Sequence, residues 1–197
     1  AYADDPTVMA WQLSNEPRAG ADGRLDEVGP AFLDWIRETA RLIRSLAPRQ
    51  LVSTGSEGLV GCGGSEPFLK QVHALPEIDY LTLHIWPFNW GWFDPVRHEE
   101  TLPDSIARTH AYLARHLEAG RALGKPVVLE EFGLQRDAGA VMPGTPVTSR
   151  DAYLSSVFDA FRRDQDAGGV FAGINLWSWS GEGVPVDPKG AFWIEGT

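Results

Sequence analysis

The sequence contains a single cysteine, Cys62, in 197 residues. No intrachain disulfide and no cysteine-based metal cluster can form, and the redox compartment stays open. No apolar run is long enough to cross a bilayer as a helix, so no membrane partner is expected. Basic residues are a minority, 17 against 27 acidic, giving a formal net charge of −10. Replacing the counterions of a polyanion needs clustered Lys and Arg, so this balance argues against nucleic acid. It is compatible with a neutral polymer such as a plant polysaccharide. Residues 1–20 lack the basic start and apolar core of a signal peptide. Neither a G-x-G-x-x-G nor a phosphate-loop motif follows the first apolar run, which takes weight from nucleotide-binding folds.

What is present is a chain long enough for one domain with a real core. Its tryptophan content is high, with 8 in all. Trp86, Trp90, Trp92, Trp177, Trp179 and Trp193 stand beside polar or Gly/Pro residues rather than inside apolar runs. An indole offers a flat apolar face suited to the C–H face of a sugar ring, and an N–H for a hydroxyl. Packing in core and loops is the competing account of the same residues.

Short apolar runs alternate with segments of helical period, the signature of repeated βα units around a parallel sheet. Strands are expected over residues 7–13, 51–54, 78–85, 126–132 and 170–179. Helices are expected over 30–46, 66–74, 103–123 and 149–167, with loop from residue 180 onward. In the first helix Phe32, Ile36, Ala40 and Ile43 recur every three to four residues, and Pro30 suits its first turn. Five parallel strands fit either an open doubly wound sheet or five-eighths of a closed barrel. In both, function sits at the carboxyl ends of the strands.

Those ends carry, in order, Asn15 and Glu16, Ser56 and Glu57, His84 and Trp86, Glu130 and Glu131, and Trp177 with Trp179. One such residue could be a cap or a loop anchor; five successive strands presenting them point to a site. Glycosidic cleavage needs two carboxyl groups flanking the bond, one protonated and one ionised. Glu16 and Glu131 are the candidates, and a strongly curved or closed sheet is expected to bring them face to face. A separation of about 5–5.5 Å would imply retention and about 6.5–9.5 Å inversion. Asn15 could reach a sugar hydroxyl, His84 could orient a carboxylate, and Trp177 could floor the sugar. Neighbours in a strand face opposite ways, so only one of Glu130 and Glu131 is expected to point into the site, and spacing does not choose between them.

At these residues a resemblance becomes specific. WQLSNEP at residues 11–17 resembles the fourth-strand signature of clan A glycoside hydrolases, and VVLEEFG at 127–133 resembles the seventh. LHIW at 83–86 and NLW at 175–177 resemble the sixth- and eighth-strand elements. Order and spacing together resemble glycoside hydrolase family 5, with STGSEG at 53–58 and HIWPFNWGWF at 84–93 similar to its endo-β-1,4-mannanases.

The resemblance implies a (β/α)8 TIM barrel represented by about five βα units, as a single catalytic domain over residues 1–197. It implies a retaining endo-hydrolase of mannan or glucomannan, with Glu16 as acid/base and Glu131 as nucleophile, and with no metal or organic cofactor. It places Asn15, His84, Trp86, Trp177, Glu57 and Trp90 in the substrate site. Where the family often has Tyr, Trp86 offers only an indole N–H, a variant also found among mannanase relatives. A polymeric substrate implies a secreted or periplasmic protein. The first three strands and the last helix of the barrel are expected to be missing, to be supplied by a further segment or a second chain. Unpaired strand edges would be an aggregation liability. The alternatives are a family 5 enzyme of another specificity, such as β-1,4-glucan or a β-mannoside, a non-catalytic carbohydrate-binding fragment, or an assembly module.

Overall fold

The structure, a computed structural model, describes residues 2–20 and 23–177. Expectations for Trp179, Trp193 and the loop from residue 180 onward lie outside the described residues. Five strands alternate with four helices: β1 (Ala10–Gln12), α1 (Leu25–Leu46), β2 (Leu51–Ser53), α2 (Glu66–His73), β3 (Leu81–Ile85), α3 (His98–Leu123), β4 (Val127–Phe132), α4 (Thr148–Asp166) and β5 (Phe171–Leu176). All ladders are parallel, β1 with β2 and β3 with β4 and β5. Among the described residues the outer edges of β1 and β5 have no ladder partner, so the sheet is open.

Side chains bridge the step between β2 and β3. The Val52 carbonyl accepts the Asp79 N–H at 2.8 Å, while the Asp79 carboxylate takes the Val52 N–H at 2.6 Å. Ser53 Oγ donates to the Tyr80 carbonyl at 2.9 Å, and Thr82 Oγ1 to the Ser56 carbonyl at 2.9 Å. The five strands therefore run on in sequence order as one curved surface. β3 is buried along its length, with Leu81, Leu83 and Ile85 fully covered. Near-continuous burial is what a parallel sheet with helices over it requires.

Two helices begin five residues earlier than their prolines suggest. α1 starts at Leu25 rather than Pro30, and α3 at His98 rather than Pro103. Each proline leaves one carbonyl four residues back without its helical donor. Those carbonyls belong to Asp26 and Glu99, both exposed, so water can serve them and the helix continues. On α1 the buried face is Leu33, Ile36 and Ala40, with Phe32 and Ile43 packed partly buried against the core. α4 is capped from a distance: buried Asp137 accepts the Thr148 and Ser149 N–H groups at 2.8 and 3.0 Å. No helix of the described residues is long and apolar enough to cross a membrane.

Two histidines are sealed beneath the sheet. His116 Nδ1 donates to the Tyr112 carbonyl at 2.7 Å, and its Nε2 accepts the Leu59 N–H at 2.9 Å. His73 Nδ1 donates to the Leu69 carbonyl at 2.9 Å. Burial pushes both rings down to about 4 from the ordinary value near 6.5. A folded-state pKa below the unfolded one gives stability that is complete above about pH 6.5 and lost as pH falls toward 4. The loss should be on the order of 3 kcal/mol for each ring. Denaturant midpoints measured from pH 7 to 4 should fall steeply; a flat profile would show that these rings are not buried neutral.

Candidate active site

β1 delivers Glu16 through a strained turn. Leu13 N–H still bonds the Ser53 carbonyl at 3.2 Å, and Glu16 N–H bonds the Gly55 carbonyl at 2.9 Å. Glu16 itself has φ 47°, in the left-handed region that a side chain seldom occupies. Strain of this kind costs about 1–3 kcal/mol and persists where surrounding contacts hold it. Here the end of β2 holds it, and Gly55 (φ 70°) lies so close to the Ser14 carbonyl that a Cβ would collide with it. At the end of β4, Gly133 serves the same need, since a Cβ there would stand 2.6 Å from the Trp177 carbonyl.

The carboxylates meet at His84, only 2% exposed. Its Nδ1 lies 2.9 Å from Glu16 Oε1 and 3.5 Å from Glu131 Oε2. Its Nε2 faces Glu130 Oε2 at 3.8 Å. The β3–β4 ladder slips between Leu83 and His84, which sets His84 opposite Glu131. Burial alone would push the His84 pKa down, but Glu130, Glu16 and Glu131 outweigh it and raise it. Glu131 is also raised, chiefly by burial, with His84 and the Trp86 N–H at 3.3 Å opposing.

Above this cluster opens a cleft of about 470 Å³. It is lined by Asn15, Glu16, Glu57, Trp86, Trp90, Glu131 and Trp177, all expected there. His84 lies under the floor instead, touching the carboxylates. Glu130 is not among the lining residues, yet it does not face away as strict alternation implies. It reaches the other side of His84, because the slip in register places both neighbours around one ring. Trp86 and Trp177 meet edge to face at 5.3 Å. Trp92 does not line the cleft; it packs partly buried against the core, edge to face with Trp90 at 4.8 Å and against Tyr112.

Arg18, Val60 and Asn89 also line the cleft and were not singled out in the sequence. Arg18 grips Glu57 with two bonds, 2.6 Å from Nε and 2.9 Å from Nη2, and comes within 3.7 Å of Glu16. Glu57 is 1% exposed, so its carboxylate is committed to Arg18 before any sugar arrives. The available signal for Arg18 was a carboxylate at the next strand end, since parallel neighbours bring their ends together. Asn89 sat unremarked inside the aromatic loop. Glu16, His84 and Glu131 offer three ligand atoms within 4.8 Å of one another. However, His84 Nδ1 must donate to the carboxylates, which leaves it no lone pair for a metal.

A pair of carboxyl groups facing each other at the mouth of a parallel α/β sheet, beneath an indole-lined cleft, is the arrangement that glycosidic cleavage requires. Residues 1–197 match the family described as GH family 5 beta-mannosidase-like, and the chain belongs to that family. Mannan endo-1,4-beta-mannosidase 1 of Solanum lycopersicum is 32% identical over 93% of this chain and 45% of its own length. Mannan endo-1,4-beta-mannosidase 3 of Arabidopsis thaliana is 30% identical over 93% and 44%. The structure of a family 5 mannosidase from Rhizomucor miehei superposes with a TM-score of 0.81, at 31% identity, covering 98% of this chain and 45% of that one. The same enzyme solved with mannosyl-fructose gives a TM-score of 0.80, with the same identity and coverage. The chain spans just under half the length of these relatives, and its sheet is the corresponding part of a TIM barrel.

The Trp86 N–H favours the ionised form of Glu131, so removing it should raise the Glu131 pKa further. In Trp86→Phe the acid limb of kcat/KM should move to higher pH by up to about one unit. A limb that stays in place would mean that Glu131 does not control it.

Proposed function

We propose that this chain carries the catalytic centre of a retaining β-1,4-mannan hydrolase, with Glu131 as nucleophile and Glu16 as acid and base. The observation behind this reading is the approach of Glu16 and Glu131 oxygens to within 4.8 Å. Retaining enzymes hold their carboxyl groups about 5–5.5 Å apart, whereas inverting ones leave about 6.5–9.5 Å for a water.

In the first step ionised Glu131 attacks the anomeric carbon while Glu16 protonates the departing glycosidic oxygen, and the glycosidic bond breaks. In the second, Glu16 takes a proton from water, whose oxygen displaces Glu131 from the same carbon. Two inversions give retention. The Trp86 N–H and the His84 ring support charge on Glu131, and Trp177 offers the sugar an aromatic wall. Asn15, exposed at the rim, is in position to meet a sugar hydroxyl. No step calls on a metal or an organic cofactor. A polymer too large to enter a cell places the protein outside it or in a periplasm.

A second reading is exo-cleavage of β-mannosides. It is favoured by the family description and by the mannosyl-fructose bound to the solved relative. Mannohexaose separates the two, since first-formed fragments of two to four units mean endo-cleavage, whereas mannose with mannopentaose means exo-cleavage.

The test is β-mannan hydrolysis by this chain, alone and completed with the barrel strands of a relative. The first-formed product should be the β-anomer by NMR; an α-anomer would overturn retention. Glu16→Gln should cost about 10²–10⁴-fold in kcat, and Glu131→Gln should leave no measurable turnover. Cleavage of cellulose in preference to mannan would replace the substrate assigned here.

A further inference from the structure

Glu130 is a carboxylate that this mechanism leaves without a task. It stands next to the nucleophile in sequence, yet it lies below the cleft with its side chain only 9% exposed. One oxygen, Oε1, accepts the Gln12 amide. The other, Oε2, is buried with no hydrogen-bond partner and lies 3.8 Å from His84 Nε2. An anionic oxygen sealed from water is costly unless a positive group compensates it.

The groups around His84 suggest what that compensation is. Nδ1 is committed as a donor on the cleft side, to Glu16 at 2.9 Å and toward Glu131 at 3.5 Å. A neutral ring with its proton on Nδ1 would turn the Nε2 lone pair toward the lone pairs of Glu130. A ring protonated at both nitrogens turns an N–H there instead, and places its charge among three carboxylates. The other charged or titratable groups nearby are Arg18, 3.7 Å from Glu16, and the buried Tyr80, whose hydroxyl faces Glu130 and Gln12. Among the described residues, none of these supplies a second cation against Glu130.

We infer that Glu130 is a positioning residue: its carboxylate holds a proton on His84 Nε2 and so keeps the ring cationic between Glu16 and Glu131. The inference rests on the proposed roles of those two glutamates. The cation offsets part of the repulsion between the carboxylates that the reaction needs close together, and it favours the ionised nucleophile. Burial of His84 opposes the charge, so the state depends on its anionic neighbours, and Glu130 is the one that substrate never touches. The His84 pKa, raised by its carboxylate neighbours against the effect of burial, agrees with this arrangement.

Glu130→Gln keeps the shape and removes the charge. In the protein that carries this chain, the His84 ring, assigned by its loss in His84→Asn, should titrate at least about one pH unit lower in Glu130→Gln by NMR. The alkaline limb of kcat should move down with it, giving about a tenfold loss on that limb, with KM little changed because Glu130 does not line the cleft. Glu130→Asp, which keeps the charge, should restore the limb in part. It also supplies the comparison if the glutamine variant folds poorly. An unchanged His84 titration in a folded Glu130→Gln protein would overturn the inference and leave the roles of Glu16 and Glu131 standing. An inactive Glu130→Gln beside an active Glu131→Gln would overturn both, by making Glu130 the nucleophile.

Discussion

The contact between the His84 ring and the carboxylates around it is the constraint on which the rest of the site depends. His84 is 2% exposed, and a cationic imidazole cannot be sealed that deeply unless charge balance comes with it. The balance is drawn from two other elements: Glu16 from the loop after β1, and Glu130 with Glu131 from β4. Each group is tolerable where it is because of the others. Four ionisable side chains from three parts of the sheet therefore form one unit. The left-handed turn at Glu16 and the slip in the β3–β4 ladder are the local distortions that let them meet.

Much of this was legible in the sequence, and the remainder fails for identifiable reasons. Helical period and alternating apolar runs placed the core of every element, because burial on one side is what those patterns encode. The starts of α1 and α3 were missed because proline was read as a first-turn residue. The cost of a proline in the second turn depends on whether the freed carbonyl reaches water, which is a property of the folded surface. The β2–β3 step was invisible for a similar reason. Asp79 takes the place of a backbone acceptor there, and no local pattern marks an aspartate for that use.

At the site, residue types at strand ends were an effective guide because parallel strands bring their carboxyl ends to one face. That rule found all but four of the described lining residues, and of those four Trp90 came from the resemblance of its aromatic loop. The pattern left core and groove open for the loop tryptophans, and the structure divides them: Trp90 lines the cleft, while Trp92 packs partly buried against Tyr112 on α3. The strand-end rule also brought Glu57 to the cleft, where the bidentate grip of Arg18 holds its carboxylate. Alternation allowed only one of Glu130 and Glu131 to point into the site without choosing between them, and only Glu131 lines the cleft. At a register slip both side chains can serve one neighbour, and here they take opposite nitrogens of the same ring.

The sequence also implied that a strongly curved or closed sheet was what would bring Glu16 and Glu131 together. The structure locates the constraint more narrowly. Glu16 is tied to the end of β2 through Gly55 and to β3 through His84, and Glu131 is tied to β3 through His84 and Trp86. Each link is a direct contact between adjacent strand ends, except that from Glu16 to His84, which reaches past β2. The separation of the two carboxyl groups is therefore fixed by a chain of short contacts within residues 12 to 131. The strand edges that stand open among the described residues lie outside that chain of contacts. Pairing those edges would bear on the stability of the sheet and on the extent of the cleft, whereas the geometry of the reacting pair follows from an imidazole that needs carboxylates on both of its nitrogens.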